Sequence, residues 1–176
     1  MSVYTATPYQ ANEGAEVSGA NVSVLLNNMR AESLKPLLVQ HGFEDLDTDN
    51  WYSQQAFLDV IKEIEQQLSY EELVAIGISG ADVLELPAEV TDVYQLLPSI
   101  VAGYGLHHRN VPEDEGYRIE ETGTEVKIVC NIPYPPFVLF GYVYGLVRRL
   151  RGEELYKHTV KVDDAMGRPY NIIITK

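Results

Sequence analysis

The sequence predicts an α+β fold: N-terminal helices followed by a ββαββ unit with a four-stranded antiparallel sheet. Three observations predict it. Apolar residues recur at helical spacing from Val22 to Tyr104, the period changes to two from Gly116 onward, and a single apolar run, Phe137 to Leu150, separates two alternating pairs.

Residues 1–18 carry neither pattern and read as an extended or disordered N-terminal arm, with a docking strand built on Tyr4 and Tyr9 as the alternative, and residues 19–176 as one α+β domain. Val22, Leu25, Leu26 and Met29 share a helix face. Pro36 lacks an N–H and forbids a straight continuation, so Ser33 is expected to cap a new short helix that Gly42 ends. After the Asx-rich segment FEDLDTDNW, Trp51-Tyr52 reads as the opening of a helix with Phe57, Leu58, Ile61, Ile64 and Leu68 on one stripe. Ser69-Tyr70-Glu71-Glu72 is a capping box, in which hydroxyl and carboxylate each satisfy an orphan backbone donor, and Gly77 is expected to end that helix. Thr91 is the expected cap of a helix over Val93–Tyr104, which Pro98 kinks or splits.

From Gly116 the strands begin. Glu121-Thr122-Gly123-Thr124 is a hairpin turn signal, and Val126, Ile128 and Cys130 point to one face. Pro133-Tyr134-Pro135-Pro136 stops the strand before the central helix, which is shorter than the roughly 20 residues needed to span a bilayer. Its Gly141 and Gly145 predict a close approach by a neighbouring element. Tyr156, His158, Val160 and Val162, then Tyr170, Ile172 and Ile174, predict the last hairpin.

Composition bounds the function. The chain has 176 residues, 45% hydrophobic and 22% charged, which suits one globular domain. A formal charge of −13 speaks against nucleic acid as a partner, because phosphate binding rests on clustered Lys and Arg. Residues 1–110 hold sixteen acidic and four basic side chains, whereas residues 111–176 hold ten and nine. Association through the near-neutral C-terminal part meets less self-repulsion. Cys130, the lone cysteine, excludes an internal disulfide and zinc-finger spacings. The first residues show no signal-peptide pattern and no membrane span is expected, which makes cytoplasmic the default location.

Several pieces occur together: Trp51-Tyr52, Ile76-Gly77, the stretch GYRIEETGTEVKIVCNIPYP, a helix with F-G-Y-V-Y-G and a final hairpin. Over residues 19–176 this order, with Gly116-Tyr117-Arg118 and Pro133-Tyr134-Pro135, resembles the superfamily of haem nitric-oxide-binding, 4-vinyl-reductase and TRAPP-subunit domains. The resemblance implies an apolar ligand, a haem or an acyl chain held between helices and sheet, or a fold used to pair subunits. Haem-binding members carry a proximal histidine shortly before the sheet, where His107 and His108 stand here. The Y-x-S-x-R motif for the haem propionates is absent, as is the Cys/His cluster of some 4-vinyl-reductase domains. Haem is therefore disfavoured and the cofactor is left open.

The residues offer no catalytic constellation: there is no G-x-S-x-G, Walker loop, G-x-G-x-x-G or H-E-x-x-H. No metal set is expected, since His107-His108 with nearby Glu113, Asp114 and Glu115 falls short of a defined ligand geometry, and cationic groups suit a helix C-terminus. His158 reads as a hydrogen-bonded core-edge residue, and Cys130 as a small buried hydrophobe. The twelve tyrosines are the unusual feature, because tyrosine lines both interfaces and apolar pockets. The expected ligand-binding residues are Tyr104, His107, His108, Tyr134, Phe140 and Tyr144, set between the Val93–Tyr104 helix and the central helix with its sheet. Arg148, Arg149 and Tyr142 are the expected interface residues, with Arg151, Lys157 and Lys161 adding basic charge nearby. The function expected is a non-enzymatic sensor or regulatory domain for a small apolar molecule, working as a homodimer or with another protein. The alternative is an adaptor whose Tyr-rich surface binds protein without a ligand.

Overall fold

The computed structural model describes residues 4–28, 31–151, 160–163 and 170–175, with side chains described outside residues 25–35 and 151–169. The fold is α+β, but its strands do not form one sheet. Strand β1 (Glu16–Ser18) lies between β2 (Trp51–Ser53) and β3 (His108–Arg109), antiparallel to both. The second sheet holds β4 (Gly116–Glu121), β5 (Glu125–Asn131), β6 (Val160–Asp163) and β7 (Tyr170–Thr175) in the order β4-β5-β7-β6, all antiparallel. The first sheet was hidden because its strands are two or three residues long, too short to show a period of two.

Trp51 and Tyr52, expected to open a helix, are therefore strand. The helix α3 (Gln54–Gln67) starts after them because Ser53 is its N-cap, accepting from Ala56 N. Arg109 explains part of the pairing: it donates to Glu16 at 2.6 Å and lies 4.4 Å over the Trp51 ring, so one side chain touches all three strands.

Other boundaries moved for identifiable reasons. Helix α1 spans Gly19–Asn28, and α2 runs Ala31–Gln40 through Pro36 rather than starting after Ser33. The Ser69–Glu72 capping box is present, but α4 (Tyr70–Val83) continues past Gly77. Gly77 is there for contact. A Cβ on it would collide with the Val138 carbonyl, and one on Gly141 with the Val74 carbonyl, so α4 and α6 (Pro136–Arg151) cross backbone to backbone. Pro98 splits its segment into a 3-10 turn (Val93–Gln95), capped by Asp92 rather than Thr91, and α5 (Leu97–His107).

Two apolar clusters result. Val126, Ile128 and Cys130 stand opposite Ile174, Ile172 and Tyr170, all fully buried, and α5 and α6 cover them. Each buried aliphatic side chain contributes about 2 kcal/mol. The other cluster, including Val17, Val22, Phe43, Phe57, Val60 and Leu73, belongs to the N-terminal half. Tyr134 packs against both. Tyr156, His158, Lys157 and the turn after Asp163 lie outside the described residues, as do the side chains of Arg151 and Lys161. Among the described residues no helix is long and apolar enough to cross a membrane.

Candidate functional site

The seam between the two clusters holds most of the buried polar chemistry. Tyr104 comes from α5, His108 from the residue that follows it, Gln54 from the first turn of α3, and Glu115 from the residue before β4. Tyr104, His108, Gln54 and Glu115 are all buried. Gly116 opens β4 at φ +142°, a backbone conformation that L side chains rarely adopt, and packs under the Tyr104 ring.

Every contact made by the Glu115 carboxylate has it as acceptor. The Tyr104 hydroxyl donates to Oε1 at 2.6 Å and Gln54 Nε2 at 3.2 Å, while the Tyr4 hydroxyl and Asn12 Nδ2 donate to Oε2 at 3.0 and 3.3 Å. Gln54 Nε2 also donates to the Tyr104 oxygen at 3.3 Å. Because Glu115 can only accept from it, the Gln54 amide has one sensible orientation, and this leaves its Oε1 buried without a hydrogen-bond partner among the described residues.

His108 has one tautomer when neutral. Its Nδ1 faces the Tyr104 carbonyl at 3.0 Å and must donate, so Nε2 accepts from the Tyr134 hydroxyl at 2.8 Å. Burial pulls the His108 pKa down to about 4, against the Tyr104 carbonyl, which favours the cation; His107 adds to the lowering. Burial also raises the Tyr104 and Tyr134 hydroxyls well above the usual phenol range, so both remain donors. In Tyr134 a hydrogen bond from Gln54 opposes that rise.

The rings interlock. Tyr104 stacks on His108 at 3.9 Å, Tyr117 meets Tyr104 edge-on at 5.3 Å, and Tyr134 meets His108 at 5.4 Å and Phe57 at 6.0 Å. Two open surface depressions lie elsewhere, one around His41–Glu63 and one around Asn12–Glu16.

Of the six expected ligand-binding residues, Tyr104, His108 and Tyr134 come together. His107 points away and bonds Ser18 Oγ through Nδ1 at 2.8 Å. Phe140 and Tyr144 pair with each other on α6, at 6.3 Å, both half-buried. Of the expected interface residues, Arg148 grips both oxygens of Asp82 at 2.6 and 2.7 Å, and Arg149 donates to the Ala81 and Leu84 carbonyls. Both arginines thus bind the C-terminal end of α4, where cations suit the helix dipole. Tyr142 is half-buried, and burial raises its hydroxyl.

The haem implied by the resemblance does not fit the better-placed histidine. Both ring nitrogens of His108 are engaged and one face is covered by Tyr104, so no nitrogen is left for an axial bond. Among the described residues no group of three or more His, Cys, Asp or Glu side chains is placed to hold a metal ion.

Gln54 and Asn12 were missed by sequence reasoning, which gives Tyr4 a place only in a docking strand, not in this site. No local pattern marks them: they are polar residues in an arm and at a helix start, and only the fold makes them neighbours. Glu115 had one signal, its closeness in sequence to His107-His108. No family model matches the chain, and no curated protein does.

Proposed function

We propose that the chain is a non-enzymatic protein-association module, pairing with a second copy through the outer aromatic face of α6. One observation carries this reading. Phe137, Phe140 and Tyr144 follow one another at i, i+3 and i+7 on α6, all half-buried, and Tyr70 extends the stripe by meeting Phe137 edge-on at 4.7 Å. Tyr70 itself is 47% exposed, so the stripe reaches solvent. Aromatic rings that keep part of their surface exposed after folding are residues that interfaces favour. The charge distribution favours a second copy as partner, since most of the net negative charge belongs to residues 1–110 and α6 to the near-neutral remainder.

A second reading, the small-ligand sensor, has one observation in its favour: the orphaned Gln54 Oε1. A buried acceptor without a donor costs about 1–3 kcal/mol, which a mainly apolar ligand carrying one N–H or O–H would recover. Such a ligand has to part the rings of Tyr104, His108 and Tyr134 to reach it. Native mass spectrometry of the purified chain separates the two readings. A two-copy mass with nothing bound supports association; a one-copy mass with a bound small molecule supports the sensor and contradicts it.

A further inference from the structure

The N-terminal arm contains the same short pattern twice, Tyr4-Thr5-Ala6 and Tyr9-Gln10-Ala11, and the rest of the chain grips both copies in the same way. At the first, Asn131 Nδ2 donates to the Tyr4 carbonyl at 3.0 Å while Asn131 Oδ1 accepts from Ala6 N at 2.8 Å. At the second, Gln55 Nε2 donates to the Tyr9 carbonyl at 3.1 Å while Gln55 Oε1 accepts from Ala11 N at 2.9 Å. Each primary amide therefore reads the C=O of a tyrosine and the N–H of the alanine two residues on.

The side chains repeat the arrangement. The Tyr4 hydroxyl donates to Glu115 and the Tyr9 hydroxyl to Glu65, while Ala6 is buried and Ala11 half-buried. The intervening Thr5, Thr7, Pro8 and Gln10 face solvent. A turn closed by Gln10 N on the Thr7 carbonyl joins the two modules, with Tyr9 N donating to the Pro133 carbonyl at 2.9 Å. Tyr9 adopts φ +58°, a conformation that bulky residues avoid, so the docking contacts and not local preference hold it.

Side-chain amides that clamp backbone at i and i+2 recognise a peptide as a peptide, and flanking pockets then select its side chains. We propose that Asn131, Gln55, Glu115 and Glu65 form a groove for a tandem Tyr-x-Ala segment, filled in cis by residues Tyr4–Ala11 and able to take the same segment in trans from a second copy of this chain. The second copy is the source whose fit is already on display. The link to the body is a short turn at Gly14, φ +75°, held by the bond from Asn110 Nδ2 to the Gly14 carbonyl at 3.2 Å, and release of that bond frees the arm to exchange. Exchanging an identical element reproduces every contact, so only concentration opposes it. This surface is separate from the α6 stripe.

The test uses full-length chains carrying Phe140→Asp and Tyr144→Asp, so that loss of the α6 contact is already built in. An arm-silenced chain has Tyr4→Ala and Ala6→Arg; a groove-silenced chain has Asn131→Ala and Gln55→Ala. A fluorescent peptide of residues 4–13 is expected to bind the arm-silenced chain at least about tenfold tighter than the chain with its own arm, and to lose that gain when the groove is also silenced. The arm-silenced and groove-silenced chains, mixed, are expected to form a 1:1 complex. Should the arm-silenced chain fail to fold, a protease site at Glu13–Gly14 in the otherwise intact chain releases the arm after folding, and the same peptide is then taken up. No uptake by either form, or uptake indifferent to Asn131 and Gln55, overturns the groove. Uptake of peptide without a 1:1 complex overturns the second copy as its occupant.

Discussion

Tyr104 and His108 stack face to face, their ring centroids 3.9 Å apart and their planes 8° from parallel, while the Tyr104 carbonyl accepts from His108 Nδ1. The two residues are thus joined twice, through ring and backbone, at the point where α5 becomes β3. The joint depends on a neutral imidazole, since a cation would send Nε2–H toward a hydroxyl now acting as donor.

A pH dependence follows. The His108 pKa falls from 6.5 to about 4 on folding, so the unfolded chain binds this proton more readily. The stability it contributes is whole above pH 6.5, declines as pH falls below that and is lost below about 4, with a total of about 3 kcal/mol. Urea unfolding from pH 7 to pH 4 is expected to show this slope. His108→Phe, which keeps an aromatic face and removes the titration, is expected to flatten this contribution.

Glu115 organises the network. Glu115→Ala leaves the Tyr4 and Tyr104 hydroxyls without their acceptor, while the Gln54 and Asn12 amides keep only the phenol oxygens, and is expected to cost about 3 kcal/mol or more. Tyr104→Phe removes one donor and is expected to cost about 1–2 kcal/mol. Because the two groups share one hydrogen bond, the double variant costs less than the two singles together. Denaturant melts of the four chains check this; additive costs would place the two residues in separate roles.

The helix crossing gives a sharper effect from a smaller change. Gly141→Ala drives a methyl into the Val74 carbonyl, where α4 has no room to shift without losing its own contacts. The expected loss is about 3 kcal/mol or more, the upper range for overpacking, whereas Gly123→Ala, where a Cβ meets open space, changes stability little. Thermal melts of both variants are the comparison.

These particulars show what the sequence made legible. The capping box at Ser69 and the alternation of Val126, Ile128 and Cys130 could be read because their causes are local: a hydroxyl three residues from a carboxylate, and a side-chain period of two. Gly77 misled because a glycine in a helix has two uses, ending it or admitting a neighbour, and Val138 lies 61 positions away in the chain. The site was legible only in its aromatic half. Tyr104, His108 and Tyr134 belong to segments with a periodic signature, but Gln54 and Tyr4 gain meaning from contacts 61 and 111 residues distant.

The stripe on α6 stands or falls by association in solution. Sedimentation equilibrium of the unmodified chain, run over a hundredfold range of concentration beside the Phe140→Asp, Tyr144→Asp double variant, measures it directly. The account predicts a concentration-dependent monomer–dimer equilibrium for the unmodified chain, weakened at least about tenfold in the variant by two charges placed in an apolar contact. A monomer at every concentration, or a dimer that both substitutions leave intact, would contradict it.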